Sequence, residues 1–376
     1  MQSVSVPYTL IAFLLVIGPL IFVHEMGHYL VGRWFGVKAE TFSIGFGREI
    51  GGWTDKRGTR WKVGWMPLGG YVKFAGDMNP ASVPDPDWLN LPPEERNQTF
   101  QAKPVWQRFL IVFAGPAINF LFAILIFMAL FAMMGRPMTP PVIGAVQERS
   151  AAAAAGIQVG DRIARIAGRE VRRFEDISSI VMIRPNQPLE IDLVRNNRTF
   201  TVTATPQPDV QRDRFGNEFR RGLLGVERPA PVIETVPWYR LPGAAAGHTV
   251  DTVVMMVETL GQVITGRRSV KELGGPLKIA QFSGQQATLG LIAFFGFMAL
   301  VSINLGFINL LPIPLLDGGH LLFYTIEGVR RKPLKPETQE WAFRTGLAAL
   351  LALMIFVTFN DLASFGLFQR LGGLIG

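Results

Sequence analysis

His24-Glu25-Met26-Gly27-His28 is the stretch of this chain whose residue types and spacing could do chemistry. On a helix, residues four apart lie on one face, about 6 Å from each other along the axis. Two imidazoles placed this way can bind one zinc ion, and the carboxylate beside the first can act as a general base. The pattern alone is loose. Its setting sharpens it, because the preceding run from Tyr8 to Val23 is apolar and carries no charged residue. A carboxylate inside a membrane-embedded helix costs about 2.5–3.5 kcal/mol on insertion scales, so an idle one is selected against.

A catalytic zinc keeps three protein ligands and one open position. The chain has no cysteine, so the third ligand must be His, Asp or Glu, and no disulfide can form. Carboxylates next to apolar segments are few. One ends a later apolar run, in Asn309-Leu-Leu-Pro312-Ile-Pro314-Leu-Leu-Asp317-Gly318-Gly319. Prolines spaced by one residue cannot continue an α-helix. Irregular backbone at membrane depth is tolerated only inside protein or beside a wet cavity, which would turn Asp317 inward. Read by itself, the segment is better taken as a helix end closed by an Asp-Gly-Gly turn. His320 and His248 read as structural.

The elements that must position these groups are mostly apolar. Of 376 residues, 49% are hydrophobic and 18% charged, and mean hydropathy is positive, which excludes an ordinary soluble enzyme. The net charge of +8 is not gathered into an aromatic-interleaved stripe, so nucleic acid is not an expected partner. The fold class expected is a multi-pass α-helical membrane protein. About four transmembrane helices are expected, lying within 1–36, 107–135, 288–320 and 342–366, each long enough for the about 20 residues that a span needs. Asn119 is the strongly polar side chain of the second span, and Asn304 and Asn309 mark an inward face of the third. Arg33, Lys38, Arg48, Lys56, Arg57, Arg60 and Lys62 crowd the first connection, and Arg330, Arg331, Lys332 and Lys335 the last. Basic loops stay cytoplasmic, so both termini and the long middle connection are expected outside.

Residues 37–106 form the cytoplasmic-side loop. Within it, about 59–75 alternates aromatic and aliphatic residues around Gly69-Gly70 and predicts a membrane-associated β-hairpin. Its exposed edge could receive an extended peptide by strand addition, or the hairpin could simply pack on the bundle. Residues 77–99 read as loop. Between 141 and 228 the chain changes to ordinary charge density with short strand-like runs. Ser150–Ile163 resembles the helix-turn-strand pattern of PDZ domains. Gly222-Leu223-Leu224-Gly225-Val226 resembles their carboxylate-binding loop, so an inserted, circularly permuted α+β PDZ domain is expected. An amphipathic extracytoplasmic segment, 235–287, follows.

His24–His28 in a first span, with Asn309–Gly318 in a later one, resembles the site-2 protease family of intramembrane zinc metalloproteases. Phe42–Gly47, Pro67–Lys73, Gly115-Pro-Ala-Ile-Asn119 and Phe359-Asn-Asp361 fit the same family pattern. The likeness covers nearly the whole chain and is greatest to the bacterial regulator-of-sigma-E type. That type has two tandem PDZ domains in enterobacteria, where this chain has one. The resemblance implies one Zn2+ per chain held by His24, His28 and Asp317, with Glu25 as the base. It implies that Asn309 holds substrate or the oxyanion, and that Gly69, Gly70, Tyr71, Val72 and Lys73 engage an extended substrate. It further implies a bacterial inner-membrane protease with its active site toward the cytoplasm. Its partners would be the lipid bilayer and single-pass membrane proteins, namely a pre-trimmed anti-sigma factor in the sigma-E stress response, or remnant signal peptides. Two readings from other classes stand beside it. One is a non-catalytic scaffold with a structural zinc, for which Glu25 has no use. The other is a cation transporter using the intramembrane His and Asp.

Overall fold

The computed structural model describes residues 5–78, 86–212, 218–266 and 274–364. The elements run α1 (Val6–Trp34), β1 (Ala39–Thr54), β2 (Arg60–Phe74), α2 (Pro93–Arg96), α3 (Val105–Met134), β3 (Arg136–Met138), β4 (Ala145–Val146), α4 (Ala151–Ala154), β5 (Arg162–Ile166) and β6 (Arg169–Glu170). Then follow α5 (Phe174–Met182), β7 (Leu189–Arg195), β8 (Arg198–Ala204), β9 (Gln207–Arg212), β10 (Glu218–Leu223), β11 (Val226–Glu227) and β12 (Val232–Glu234). Five helices complete the chain: α6 (Leu241–Ile264), α7 (Pro276–Thr288), α8 (Leu291–Leu310), α9 (Asp317–Arg330) and α10 (Pro336–Ser364).

Among the described residues, four helices are long and apolar enough to cross a membrane: α1, α3, α8 and Glu337–Leu362 of α10. At 1.5 Å per residue the shortest, α8 with 20 residues, matches a hydrocarbon core of about 30 Å. Leu10, Ile11 and Leu15 on α1, Leu121 and Leu125 on α3, and Leu351 and Ile355 on α10 are exposed, as lipid-facing side chains are. The expected third segment, 288–320, is not continuous. The chain leaves helix at Leu311, runs through Pro312 and Pro314 with Leu315 at a left-handed φ of 78°, and re-enters helix at Asp317. The expected amphipathic segment 235–287 divides into α6 and α7, with 267–273 outside the described residues. The fourth helix is described to Ser364, so the end of the expected 342–366 also lies outside.

Two compact units are distinguished. The first comprises residues 1–128, 245–254 and 273–376. Here the hairpin differs from expectation. Arg60–Phe74 is one strand rather than a hairpin about Gly69-Gly70, and its partner is β1. The turn is Asp55–Thr59, where the Asp55 carboxylate accepts from the N–H groups of Arg57 (2.8 Å) and Thr59 (3.0 Å) and from the Trp61 indole (2.9 Å). Gly58 supplies the positive φ, 83°, that the turn needs. Both strands bend. Residues 41–44 of β1 face 70–73 of β2 on one side and 60–63 on the other, while 49–54 return along 60–64. Phe42 stacks on Trp61 at 4.4 Å, and both pack with Tyr29 of α1. The expected loop 77–99 holds a 3-10 turn at Pro86–Asn90 and α2, with 79–85 outside the described residues. On α6, His248 sits edge-on to Phe127 at 4.6 Å.

The second unit comprises residues 129–244 and 255–272. Its main sheet has the order β6-β5-β7-β8, with β4–β11, β3–β12 and β9–β10 as antiparallel pairs. Alternation along β7 turns Leu189, Ile191 and Leu193 inward against Ile163, Ile166, Ile177 and Ile143. Asp161, 1% exposed, accepts from Arg195 at 2.6 and 2.7 Å. Those hydrogen bonds hold its carboxyl below the usual range against the opposing effect of burial.

Candidate metal centre

The first unit brings His24, His28 and Asp317 together across 293 positions of sequence. The helical spacing puts both imidazoles on one face of α1, with Nε2 of His24 and Nε2 of His28 3.3 Å apart. Asp317 reaches the same point from the first turn of α9, its Oδ2 3.2 Å from His24 Nε2 and 3.5 Å from His28 Nε2. The proline break makes this approach possible. Gly318 and Gly319 allow the turn to close, since a Cβ on Gly318 would lie 2.1 Å from the Leu311 carbonyl oxygen.

His28 Nδ1 lies 2.9 Å from the Ile111 carbonyl oxygen. That oxygen can only accept, so the ring hydrogen is on Nδ1 and the Nε2 lone pair faces the cluster. His24 Nδ1 lies 3.0 Å from the Asn119 amide of α3. Oδ2 of Asp317 is buried without a hydrogen-bond partner. Three ligand atoms, two imidazole nitrogens and a carboxylate oxygen, lie within 4.8 Å of one another in a buried place. This fits zinc, which takes nitrogen and carboxylate oxygen at about 2.0–2.2 Å in a tetrahedral set. Glu25 is buried next to this face of α1 and is not one of the three.

A cavity of about 500 Å³ opens on the cluster. His24, Glu25, His28, Asp317, Asn309, Gly69, Gly70, Tyr71 and Val72 all line it, so these expected site residues share one space, and His320, read as structural, lines it too. Gly70 explains why the strand can pass so close. A Cβ there would lie 2.7 Å from Ile21 Cγ2 and 2.9 Å from Glu25 Cγ, so only glycine lets β2 rest on α1 at the carboxylate. Lys73 is placed differently from expectation. It does not line the cavity, and its ammonium pairs with Glu40 at 2.9 Å. The Gly222–Val226 stretch lies in the second unit. Leu224 is buried, its carbonyl oxygen accepts from Ala152 N at 2.8 Å, and Gly225 takes a φ of 80° against Ser150. Two residues of the centre were not picked out as support from the sequence. Asn119 showed as the polar side chain of an apolar span, and both it and Gly115 as the ends of a motif, with no role given to either. A Cβ on Gly115 would lie 2.2 Å from His28 Nε2, so the imidazoles occupy the room its missing side chain leaves.

Comparison with known proteins gives the same answer by another route. Residues 12–353 match the family described as Peptidase family M50. A candidate zinc metalloprotease of Agrobacterium fabrum is 44% identical over 360 residues, covering 94% of this chain and 96% of its own. One of Rhizobium meliloti is 42% identical over 363 residues, covering 95% and 97%. Metalloprotease MmpA of Caulobacter vibrioides is 38% identical over 396 residues, covering 97% and 98%. With the match running across both apolar halves of the chain and relatives aligned end to end, this chain belongs to peptidase family M50, the site-2 proteases, and is a zinc metalloprotease.

Proposed function

We propose that this protein is an intramembrane endopeptidase of the bacterial inner membrane that makes the second cut in single-pass membrane proteins already trimmed outside. The observation that carries the reading is the shared cavity: the His24–His28–Asp317 cluster, Glu25 and the Gly69–Val72 stretch of β2 face one space. His24, His28 and Asp317 are the metal ligands. Zinc held there supplies Lewis acidity and makes water a nucleophile near neutral pH. Glu25 takes the proton of the attacking water and returns it to the leaving amine. The Asn309 amide, on the cavity wall, donates to the oxyanion as it develops.

A transmembrane helix presents no free peptide bond, because each is paired within the helix, so the substrate must be extended before attack. The 70–73 edge of β2 away from β1 has no strand partner among the described residues. It replaces the hydrogen bonds the substrate loses on unwinding and lays the peptide along Glu25. The basic residues of the first and last connections place those loops in the cytoplasm and the termini outside. The second unit is then periplasmic. Its order of helix, turn and strand supports reading it as a single permuted PDZ domain that excludes untrimmed substrates by bulk. An anti-sigma factor or a remnant signal peptide has the required form.

The test is reconstitution in liposomes with a single-pass substrate offered with and without its outer domain. Cleavage of the trimmed form alone, abolished by a chelator and restored by zinc, is the expected result. Cleavage insensitive to zinc removal would refute the reading.

A further inference from the structure

We propose that Asn119 is the positioning residue for His24: its side-chain oxygen accepts the hydrogen on His24 Nδ1 and so fixes the imidazole with Nε2 toward the metal. The inference rests on the reading of His24 as a zinc ligand.

The two histidines of the cluster face one problem. Each must present the Nε2 lone pair, and each therefore carries its ring hydrogen on Nδ1, which needs an acceptor inside an apolar bundle. For His28 the acceptor is the Ile111 carbonyl oxygen at 2.9 Å. For His24 the group at 3.0 Å is the side-chain amide of Asn119. The amide is turned with Nδ2 toward the ring, and Oδ1 is buried without a partner. Half a turn about the Cβ–Cγ bond exchanges the two isosteric ends and brings Oδ1 to Nδ1 with no other atom displaced. That orientation leaves Nε2 free for an ion.

The surroundings hold the amide at this level. Asn119 is wholly buried, and its backbone oxygen accepts from Ser302 Oγ of α8 at 2.8 Å. This bond ties α3 to α8 one turn beyond Pro116, where the helix has lost a backbone donor. On the same stretch of α3, Gly115 gives the two imidazoles their room. The stretch from Gly115 to Asn119 therefore supports the ligands that α1 carries. The Ser302 bond falls on the backbone and needs no asparagine, whereas the side-chain amide lies against the imidazole, so the residue type is tied to His24.

The full chain in detergent, with zinc affinity read by competition against a chelator of known strength, tests this. Asn119→Leu keeps the side-chain size and removes the acceptor. It is expected to weaken zinc binding about 10–100-fold, the usual effect of removing an outer support of a metal-bound histidine. Asn119→Asp keeps an oxygen at the same place and is expected to hold zinc at least as tightly as the wild type, which separates positioning from packing. Cobalt substituted for zinc gives an absorption spectrum expected to change in Asn119→Leu and to persist in Asn119→Asp. Unaltered zinc affinity in Asn119→Leu, or zinc lost in Asn119→Asp, would overturn the proposal. His24→Ala distinguishes the two levels of argument. If it keeps wild-type zinc, the ligand reading fails; if it loses zinc while Asn119→Leu does not, only the role of Asn119 fails.

Discussion

In the first unit His24, Glu25, Asn119 and Ser302 occupy the depth that Ile163, Ile191 and Leu193 occupy in the second. The solvent explains the inversion. Lipid tails are as apolar as leucine, so a transmembrane bundle gains little by turning aliphatic side chains inward. Beside buried aliphatics such as Leu20 and Ile303, its interior holds small residues, such as Gly27, Gly115 and Gly306, and polar groups that bond across helices. In the second unit, burial of aliphatic surface is the main stabilising term, about 25 cal/mol per Å². Substitutions in the first unit should therefore act on zinc and chemistry, and those in the second on stability.

The largest effect expected is at the ligands. Asp317→Ala or His28→Ala should reduce zinc affinity by more than the about 10–100-fold of an outer support. Zinc content measured by elemental analysis should fall with cleavage, while hydrogen exchange over 162–195 stays unchanged. A change in that exchange would break the separation of the two units. Ile191→Ala, at a fully buried position, should cost the second unit about 2–5 kcal/mol, read as faster exchange over 162–195 at constant zinc content. Gly115→Ala tests the converse. Its Cβ would overlap His28 Nε2, and such overpacking costs about 1–3 kcal/mol, expected to appear as weakened zinc binding with the second unit untouched.

The smallest effect expected is a pH dependence in the second unit. Asp161 titrates below the ordinary carboxylate range in the folded chain because Arg195 hydrogen-bonds it. Its contribution is thus complete above the unfolded carboxylate pKa of about 3.9 and is lost as pH falls through the folded value. Acid should lower the protection of 162–195, taken relative to the intrinsic exchange rate at each pH, and Arg195→Leu should weaken that dependence. Protection in the wild type that is flat with acidification would contradict this.

The sequence showed what is local. The four apolar helices were legible because length and hydropathy suffice in lipid, and His24-Glu25-x-x-His28 because its geometry is that of one helix turn. The proline break before Asp317 was legible as an irregularity, but its arrival at the histidines depends on α9 packing back toward α1. The hairpin was misplaced for a physical reason. A pair of glycines is the expected mark of a turn, yet Gly70 is glycine because Glu25 and Ile21 press on it, and the turn belongs to Asp55–Thr59. Asn119 carried the least readable role. Its partner is 95 residues away, and nothing in its neighbours in sequence names His24.

The central claim is that the buried cluster holds zinc for a reaction in which Glu25 moves the proton. The most direct measurement sets wild type beside Glu25→Gln in liposomes, recording zinc content and cleavage of a trimmed single-pass substrate together. The account predicts equal zinc and a loss of cleavage of about 10²–10⁴-fold in the variant. Equal cleavage by both proteins would contradict it.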